Sequence, residues 1–300
     1  MERIYDMIVV GGGPAGYSAA LYAARAGLRV AVLEKLSAGG QMALTDSIDN
    51  YPGFDEGIDG FALGEKMQQG AERFGAVTEL AEVYSVDLKS EPKVLDTSEG
   101  VFLARSVVIA TGAGPRELGI TGEQAQMGRR VHYCAACDGM RYRGKTVAVI
   151  GGGNSAVGDA LQLARIAKKV ILVHRRDSLR AEKLHQDSLM SAQNVEILWN
   201  SAPVEMADSG ILVRNTVTGA EFLIKCDGVF VSIGRKPATD LVKNQLELDK
   251  GGYIVADEST RTSVPGVFAA GDVRTKALRQ VVTAVADGAM AVHFAQEYLG

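Results

Sequence analysis

The sequence predicts an α/β protein with two Rossmann-like, three-layer nucleotide-binding domains, one inserted into the other. Its 300 residues suggest two domains at a length prior of ~150 residues each. Its 35 glycines exceed the usual share of ~7% and indicate many tight turns. The third observation is a repeat without gaps: residues 5–34 read YDMIVVGGGPAGYSAALYAARAGLRVAVLE, and residues 145–174 read KTVAVIGGGNSAVGDALQLARIAKKVILVH.

Each copy of the repeat has the order of a βαβ unit. In the first copy the apolar pattern predicts a strand at residues 7–10, a turn at 11–16, an Ala- and Leu-rich helix at 17–26 and a strand at 29–33. The second copy follows the same order. A lone G-x-G-x-x-G is weak evidence, but the strand before it and the helix after it indicate a dinucleotide-binding turn.

The small residues of each turn have separate predicted roles. Gly11 permits the tight turn, Gly13 lets the backbone approach a pyrophosphate, and Gly16 lets the helix pack against the strand. The helix N-terminus adds free N–H groups and partial positive charge for the phosphates. The same places in the second copy are occupied by Gly151, Gly153 and Ala156.

The residue that ends the second strand distinguishes the two ligands. Glu34 is placed to accept hydrogen bonds from a ribose diol, as in FAD or NAD. The equivalent position holds His174, within a segment (168–183) that has six Lys or Arg against two acids. Two arginine contacts favour a 2′-phosphate by roughly 3 kcal/mol, so the second copy is predicted to prefer NADPH. The cluster consists of His174, Arg175, Arg176 and Arg180. The alternative is a solvated basic helix start.

Composition excludes several other classes of protein. The net charge of −4 argues against general nucleic-acid or anionic-membrane binding. Residues 7–24 carry no charge, but four glycines and Pro14 interrupt them, and two acids against one base precede them. This pattern suits neither a secretory leader nor a membrane span, so a cytoplasmic protein is predicted.

The order of strands along the chain predicts a discontinuous domain. Apolar strands at 106–112 and 228–234 each precede a proline, which favours an extended crossover. Another buried strand with a turn at 263–272 and a long helix to Leu299 then complete the first unit. The predicted domains are 1–114 with 240–300, and 115–239.

A close pair of cysteines precedes the second nucleotide unit. Cys134 and Cys137 have the spacing of a redox motif, and near a βαβ pattern a redox role is favoured. Structural zinc and inert buried thiols are the alternatives, and no metal is predicted because four ligands are not evident. Asp138 is either a turn residue or the acid/base that protonates a leaving thiolate. Cys226 has no partner in this scheme.

Together these motifs resemble the low-molecular-weight thioredoxin reductases over essentially the whole chain. The matching segments are 11–16, 39–41, 50–53, 110–113, 134–139, 151–156, 174–177 with Arg180, 271–272 and 279–280. The resemblance implies FAD in the first domain, NADPH in the inserted one, and a homodimer. The implied FAD residues are Gly11, Gly13, Pro14, Ala15, Gly16, Glu34, Gly40, Gln41, Asn50, Thr111, Gly112, Gly271, Asp272, Arg279, Gln280 and Val281. The implied NADPH residues are Gly151, Gly153, Asn154, Ser155, Ala156, His174, Arg175, Arg176 and Arg180.

The resemblance also implies a reaction. Electrons pass from NADPH through flavin to the Cys134–Cys137 disulfide and then to oxidised thioredoxin, with a domain rotation between two states. Cys137 is expected to face the flavin, Cys134 to attack the partner disulfide, and Asp138 to act as the acid.

The identity of the acceptor stays open in the sequence. Many family members carry two aromatic residues where this chain has Met140 and Arg141, and Arg130 stands where glycine is usual, although the docking arginine Arg129 is kept. Thioredoxin is the expected acceptor. The alternatives are a glutaredoxin-like or peroxiredoxin-system protein, or a flavin-based redox sensor.

Overall fold

The computed structural model describes residues 4–45 and 47–300, and these form two compact units. One unit contains the described residues up to Gly114 together with Lys236–Gly300, and the other is Pro115–Arg235. The sequence predicts that the chain returns from the second unit to the first a few residues later, after residue 239. Residues 236–239 join the first unit because the Ala238 N–H donates to the Gly112 carbonyl and the Thr239 hydroxyl to the Gly252 carbonyl.

The strands, in chain order, are β1 (Ile4–Val10), β2 (Val30–Glu34), β3 (Val77–Leu80), β4 (Val83–Asp87), β5 (Lys93–Thr97), β6 (Gly100–Ile109), β7 (Ala113–Pro115), β8 (Val131–His132), β9 (Thr146–Ile150), β10 (Lys169–Val173), β11 (Val195–Leu198), β12 (Ser201–Ala207), β13 (Gly210–Asn215), β14 (Glu221–Lys225), β15 (Gly228–Val231), β16 (Arg235–Pro237) and β17 (Val267–Ala269). The α-helices are α1 (Pro14–Arg25), α2 (Gly60–Glu72), α3 (Glu123–Gln126), α4 (Ala135–Asp138), α5 (Asn154–Ala164), α6 (Lys183–Met190) and α7 (Val281–Leu299). Short 3₁₀ helices lie at Gly40–Leu44, Gly139–Tyr142 and Gly271–Val273.

The first unit has a central parallel sheet with the order β3-β2-β1-β6, and β17 also pairs with β6. Strands β5 and β4 extend it as antiparallel partners. Helices α1 and α7 pack closely because Gly288 has no side chain: a Cβ there would overlap the carbonyl of Ala15. This packing sets the start of α1 beside the first half of α7.

The second unit repeats this plan with the parallel order β11-β10-β9-β15-β8, and a separate antiparallel sheet contains β12, β13 and β14. Apolar residues of β9, β10 and α5 form its core, as the repeat predicts. The predicted α/β class with two Rossmann-like units is confirmed.

Several predicted element boundaries are wrong by a few residues. Helix α1 begins at Pro14, within the predicted turn, because proline suits the first position of a helix. Within 263–272, predicted as a strand with a turn, the strand is limited to Val267–Ala269, since Pro265 and Gly266, whose φ is +73°, turn the chain before it. Among residues 4–45 and 47–300, no helix combines the length and the apolar composition needed to cross a bilayer.

Candidate functional site

The first glycine turn has the geometry that its residues predict. Gly11 has a φ of +105°, and a Cβ there would lie 2.6 Å from the carbonyl oxygen of Ala110. Gly16 packs so tightly on the Gly11 carbonyl that a Cβ would overlap it. By contrast, a Cβ on Gly13 would meet nothing within 4 Å. The start of α1, with Pro14 and Ala15 in its first turn, is therefore open on the side from which a pyrophosphate approaches.

Glu34 lies at the end of β2 and braces this turn. Its Oε2 accepts the Gly12 N–H at 2.6 Å, and its Oε1 accepts the Leu36 N–H at 3.0 Å. A carboxylate has about four lone-pair sites, so both oxygens keep capacity for ribose hydroxyls. The carboxylate is held in place before any ligand arrives.

Other predicted residues of the first unit lie around the same turn. A Cβ on Gly40 would lie 3.3 Å from the Cα of Gly13, so the 3₁₀ helix that carries Gly40 and Gln41 borders the turn. Gly271 also approaches it, because a Cβ there would lie 2.9 Å from the Cβ of Ala15. Asp272 follows in the same 3₁₀ turn.

The start of α7 brings together two predicted residues from distant parts of the chain. The Asn50 amide donates from Nδ2 to Oε1 of Gln280 at 3.0 Å. Gln280 caps α7 in a reciprocal arrangement with Thr283, and Val281 is the first helical residue. Arg279 stacks on Tyr253 with 4.0 Å between its guanidinium carbon and the ring centroid.

Thr111 and Gly112 lie next to the segment where the chain returns from the second unit to the first. The Thr111 hydroxyl donates to the Ala238 carbonyl at 2.7 Å, and Gly112 has a φ of +72°. Their structural role is therefore to fix residues next to that segment.

A buried ion cluster supports Gly271 and is absent from the sequence prediction. Asp287 accepts the Gly271 N–H at 2.8 Å and contacts Arg274 and Lys276, each at 2.8 Å. Burial raises the pKa of Asp287, but the hydrogen bonds from the two cations outweigh burial and lower it overall. The available signal was an acid, Asp287, set among the apolar and small residues of the first half of α7.

The second glycine turn repeats the geometry of the first. Gly151 has a φ of +152°, and a Cβ there would lie 2.5 Å from the Ser232 carbonyl oxygen. A Cβ on Gly153 would meet nothing within 4 Å, and Ala156 is fully buried. Asn154 exchanges hydrogen bonds with Glu182 through its side-chain amide, while Ser155 is exposed.

The predicted basic cluster divides into an exposed part and a buried part. Arg175, Arg176 and Arg180 are exposed, and the Arg180 N–H donates to the Gly152 carbonyl at 2.7 Å, which holds the segment against the turn. His174 is only 4% exposed, with Nε2 3.0 Å from the Ser178 carbonyl oxygen. Burial, with the nearby arginine charges, lowers the pKa of His174. The structure thus separates His174 from the exposed arginines.

Cys134 and Cys137 form a disulfide across α4, with 5.3 Å between their Cα atoms. Cys134 is the N-cap residue, and its Sγ accepts the Cys137 N–H at 3.2 Å. Both residues are partly exposed. Cys226 is a buried free thiol whose pKa burial raises to about 11. Within the described ranges, no group of three His, Cys, Asp or Glu is arranged to hold a metal ion.

Asp138 lies directly after the disulfide, and its side chain is 13% exposed. Its Oδ2 is 3.3 Å from Nδ1 of His132, and its Oδ1 is 3.7 Å from Nη1 of Arg141. His132 was not among the predicted site residues, because a single histidine two residues before Cys134 has no recognised spacing. The carboxyl group thus lies between two basic side chains, on the residue that directly follows Cys137.

The residues at the predicted docking surface have different environments. Met140 is 51% exposed, and Arg129 and Arg141 are also exposed. Arg130 is instead structural, because its guanidinium donates to the carbonyls of four other residues of the second unit. These acceptors are Ala207, Asp208, Cys226 and Asp227.

Comparison with known proteins gives a consistent result. Residues 5–288 match the family model described as pyridine nucleotide-disulphide oxidoreductase. The chain is 45% identical to the thioredoxin reductase of Listeria monocytogenes, with 99% of this chain and 95% of that protein covered. It is 44% identical to the thioredoxin reductase of Treponema pallidum, with 100% and 98% covered. The crystal structure of thioredoxin reductase from Streptococcus pyogenes superposes with a TM-score of 0.93 at 42% identity, over 100% of this chain and 99% of that chain.

Proposed function

The chain belongs to the pyridine nucleotide-disulphide oxidoreductases and, within them, to the thioredoxin reductases, and from this membership we propose that it passes electrons from NADPH through FAD and the Cys134–Cys137 disulfide to oxidised thioredoxin. The observation that carries the proposal is the disulfide itself, formed next to Asp138 in the unit that holds the second glycine turn.

The residues of the first unit fit FAD. The open Gly13 position leaves room for a pyrophosphate at the start of α1. Glu34 is held by the Gly12 N–H in a position to accept hydrogen bonds from a ribose. Bound FAD supplies a carrier that accepts a hydride and passes two electrons to the disulfide. The chain's own contribution is to hold that group through Glu34, Asn50, Gln280 and the turn.

The residues of the second unit fit NADPH. The open Gly153 position offers the pyrophosphate site, and Arg175, Arg176 and Arg180 supply exposed positive charge for a 2′-phosphate. His174 packs against the second glycine turn at Gly152 instead of contacting the 2′-phosphate. A Cβ on Gly152 would overlap the His174 ring, which shows how closely the ring fits there.

Thiol chemistry then transfers the electrons to the acceptor. The Cys134 thiolate attacks one sulfur of the acceptor disulfide, and the other sulfur leaves as a thiolate that Asp138 protonates. The Cys137 thiolate attacks the Cys134 sulfur, which reforms the protein disulfide and releases the second acceptor thiol. Cys134 caps α4 and Cys137 lies within it three residues later, so the ring that closes is small.

A different disulfide protein is a second candidate acceptor. Met140 and Arg141 present an exposed thioether and an exposed cation beside the disulfide, where many relatives of this type carry two aromatic residues. This difference favours testing a glutaredoxin-like protein and a peroxiredoxin-system protein beside thioredoxin. We also propose a cytoplasmic homodimer, in which the reducing compartment suits a catalytic disulfide.

Steady-state oxidation of NADPH with oxidised thioredoxin tests the function. We expect turnover with NADPH, little with NADH, and none in Cys134→Ser. Cys226→Ser is the matched cysteine control and should keep its turnover, because Cys226 is buried away from solvent. Turnover that persists in Cys134→Ser would contradict the proposal. Turnover with another disulfide protein but none with thioredoxin would replace the acceptor and keep the mechanism.

A further inference from the structure

Behind Asp138 lies a buried hydrogen-bonded line of side chains that the reaction described above does not use. His132 is 2% exposed and is held at the end of β8, where it pairs with Phe230 of β15. Its ring lies 5.4 Å from that of Phe230 and 5.3 Å from that of Tyr142, centroid to centroid. The imidazole therefore has a fixed orientation, with Nδ1 toward Asp138.

The contacts on the far side of the imidazole favour one tautomer. Nε2 lies 2.7 Å from the Tyr142 hydroxyl oxygen and 3.3 Å from the carbonyl oxygen of Arg129, and the same hydroxyl lies 3.1 Å from that carbonyl. Burial raises the pKa of Tyr142, so the phenol keeps its proton. If Nε2–H is shared between the phenol and the carbonyl and the phenol also donates to the carbonyl, each of the three contacts has a donor, whereas an unprotonated Nε2 would face the carbonyl as a second acceptor. We therefore assign the proton to Nε2 from this network.

That assignment leaves Nδ1 facing the carboxyl group of Asp138 at 3.3 Å. In a neutral ring with its proton on Nε2, Nδ1 is an acceptor, and an ionised carboxylate is also only an acceptor. Two acceptors at this distance in a buried site repel unless one proton lies between them. The pair is therefore most stable with one shared proton, carried either by the ring or by the carboxyl group. Arg141, at 3.7 Å, faces the other carboxyl oxygen and does not supply this proton.

We propose that His132 is a positioning residue that stores, together with Asp138, the one proton needed when a disulfide is opened beside them. This rests on the proposed function, in which Asp138 protonates the departing thiolate. When Cys134–S⁻ bonds to one acceptor sulfur, the acceptor S–S bond breaks and its electron pair stays on the departing sulfur. The stored proton moves through Asp138 to that sulfur.

The same arrangement explains how the Asp138–His132 pair regains its proton. Once the proton has left, the Asp138 carboxylate faces a bare Nδ1, and this unfavourable state attracts a proton from the Cys137 thiol. The resulting Cys137 thiolate attacks Cys134, the Cys134–acceptor bond breaks, and the protein disulfide reforms. The last acceptor thiolate takes its proton from solvent. Two electrons pass from the dithiol to the acceptor, and the Asp138–His132 pair ends with the proton it began with.

Two small-molecule disulfide substrates distinguish a loss of proton delivery from a general disruption of the fold. The full-length protein is reduced with dithiothreitol, desalted, and mixed with either hydroxyethyl disulfide or the aromatic disulfide of thionitrobenzoate. The alkyl thiolate is a poor leaving group that needs a proton, whereas the aromatic thiolate leaves readily without one. Oxidation of Cys134 and Cys137 is followed by quenching and thiol labelling, so the readout does not depend on flavin turnover.

We expect His132→Asn to slow the alkyl reaction at least about tenfold and the aromatic reaction by less than about twofold. Asparagine can still donate a hydrogen bond to Asp138 but cannot exchange a proton, so a purely structural role would be rescued by it. Adding His132→Asn to Asp138→Asn should slow the alkyl reaction no further, because both act through one proton. The exposed His293→Asn is the matched control and should not change either rate.

Equal slowing of both reactions by His132→Asn, or no slowing of either, would overturn the proposal. A second measurement needs no variant to fold: ¹⁵N chemical shifts of the His132 ring in the wild-type protein should show a protonated Nε2, and an unprotonated Nε2 would contradict the assignment. Failure of the proposed function is distinguishable, because the reduced protein would then react with hydroxyethyl disulfide but not with thioredoxin.

Discussion

The carboxylate of Glu34 accepts the backbone N–H of Gly12 at 2.6 Å, so the end of one strand holds the turn that follows its neighbour in the sheet. The contact links the proposed ribose site to the proposed pyrophosphate site through a single side chain. Binding groups that are held in advance lose less freedom when a ligand is bound.

Glu34→Gln should therefore weaken retention of FAD. An amide has only one acceptor oxygen, so it can no longer accept from Gly12, Leu36 and two ribose hydroxyls together. We expect the purified variant to carry substantially less flavin per chain, measured by absorbance after gel filtration. The exposed Glu65→Gln on α2 is the matched control, and flavin loss of the same size in both variants would contradict the assignment.

Arg175→Ala with Arg176→Ala should raise the Michaelis constant for NADPH far more than that for NADH. Loss of two charge-assisted contacts to a 2′-phosphate corresponds to roughly 3 kcal/mol, or about a hundredfold in affinity. The measurement is steady-state kinetics with each nucleotide, with the exposed Lys168→Ala as control. Equal changes for NADPH and NADH would show that the arginines do not read the phosphate.

His174 should make the stability of the protein depend on pH below neutrality. Burial lowers its pKa in the folded state, whereas the unfolded chain binds a proton with a pKa of ~6.5. Below that pH the unfolded state binds more protons, so the free energy of unfolding falls as pH falls, and the full contribution is present only above it. Urea unfolding of the wild type and of His174→Asn, measured between about pH 5 and about pH 8, checks this pH dependence. Indistinguishable pH slopes would contradict it.

Asp287→Asn should be strongly destabilising. It leaves the Arg274 and Lys276 side chains, 3% and 6% exposed, without their carboxylate partner. Breaking a buried ion pair in this way costs about 3–5 kcal/mol of unfolding free energy. The matched variant Glu297→Gln removes the exposed partner of Arg261 and should cost less than about 1 kcal/mol. Similar urea midpoints for the two variants would show that the cluster is not energetically distinct.

The features that could be predicted from the sequence are those that depend on short-range patterns of residues. The repeat predicted both glycine turns and both βαβ units, and the spacing of Cys134 and Cys137 predicted a close cysteine pair, because each depends on residues near one another in the chain. It did not predict the β12–β14 sheet, whose strands have mixed burial. It missed Asp287 and His132, since their roles come from partners that only the folded chain brings near. His174 has the expected position, but its side-chain direction depends on packing.

The most direct test of the central claim is whether NADPH opens the disulfide. One equivalent of NADPH is added without oxygen to the FAD-loaded protein, and free thiols are labelled after denaturation and located by mass spectrometry. We predict that Cys134 and Cys137 become labelled together, while Cys226 is labelled with and without NADPH. If NADPH bleaches the flavin but Cys134 and Cys137 stay unlabelled, electrons do not reach the disulfide and the account is wrong.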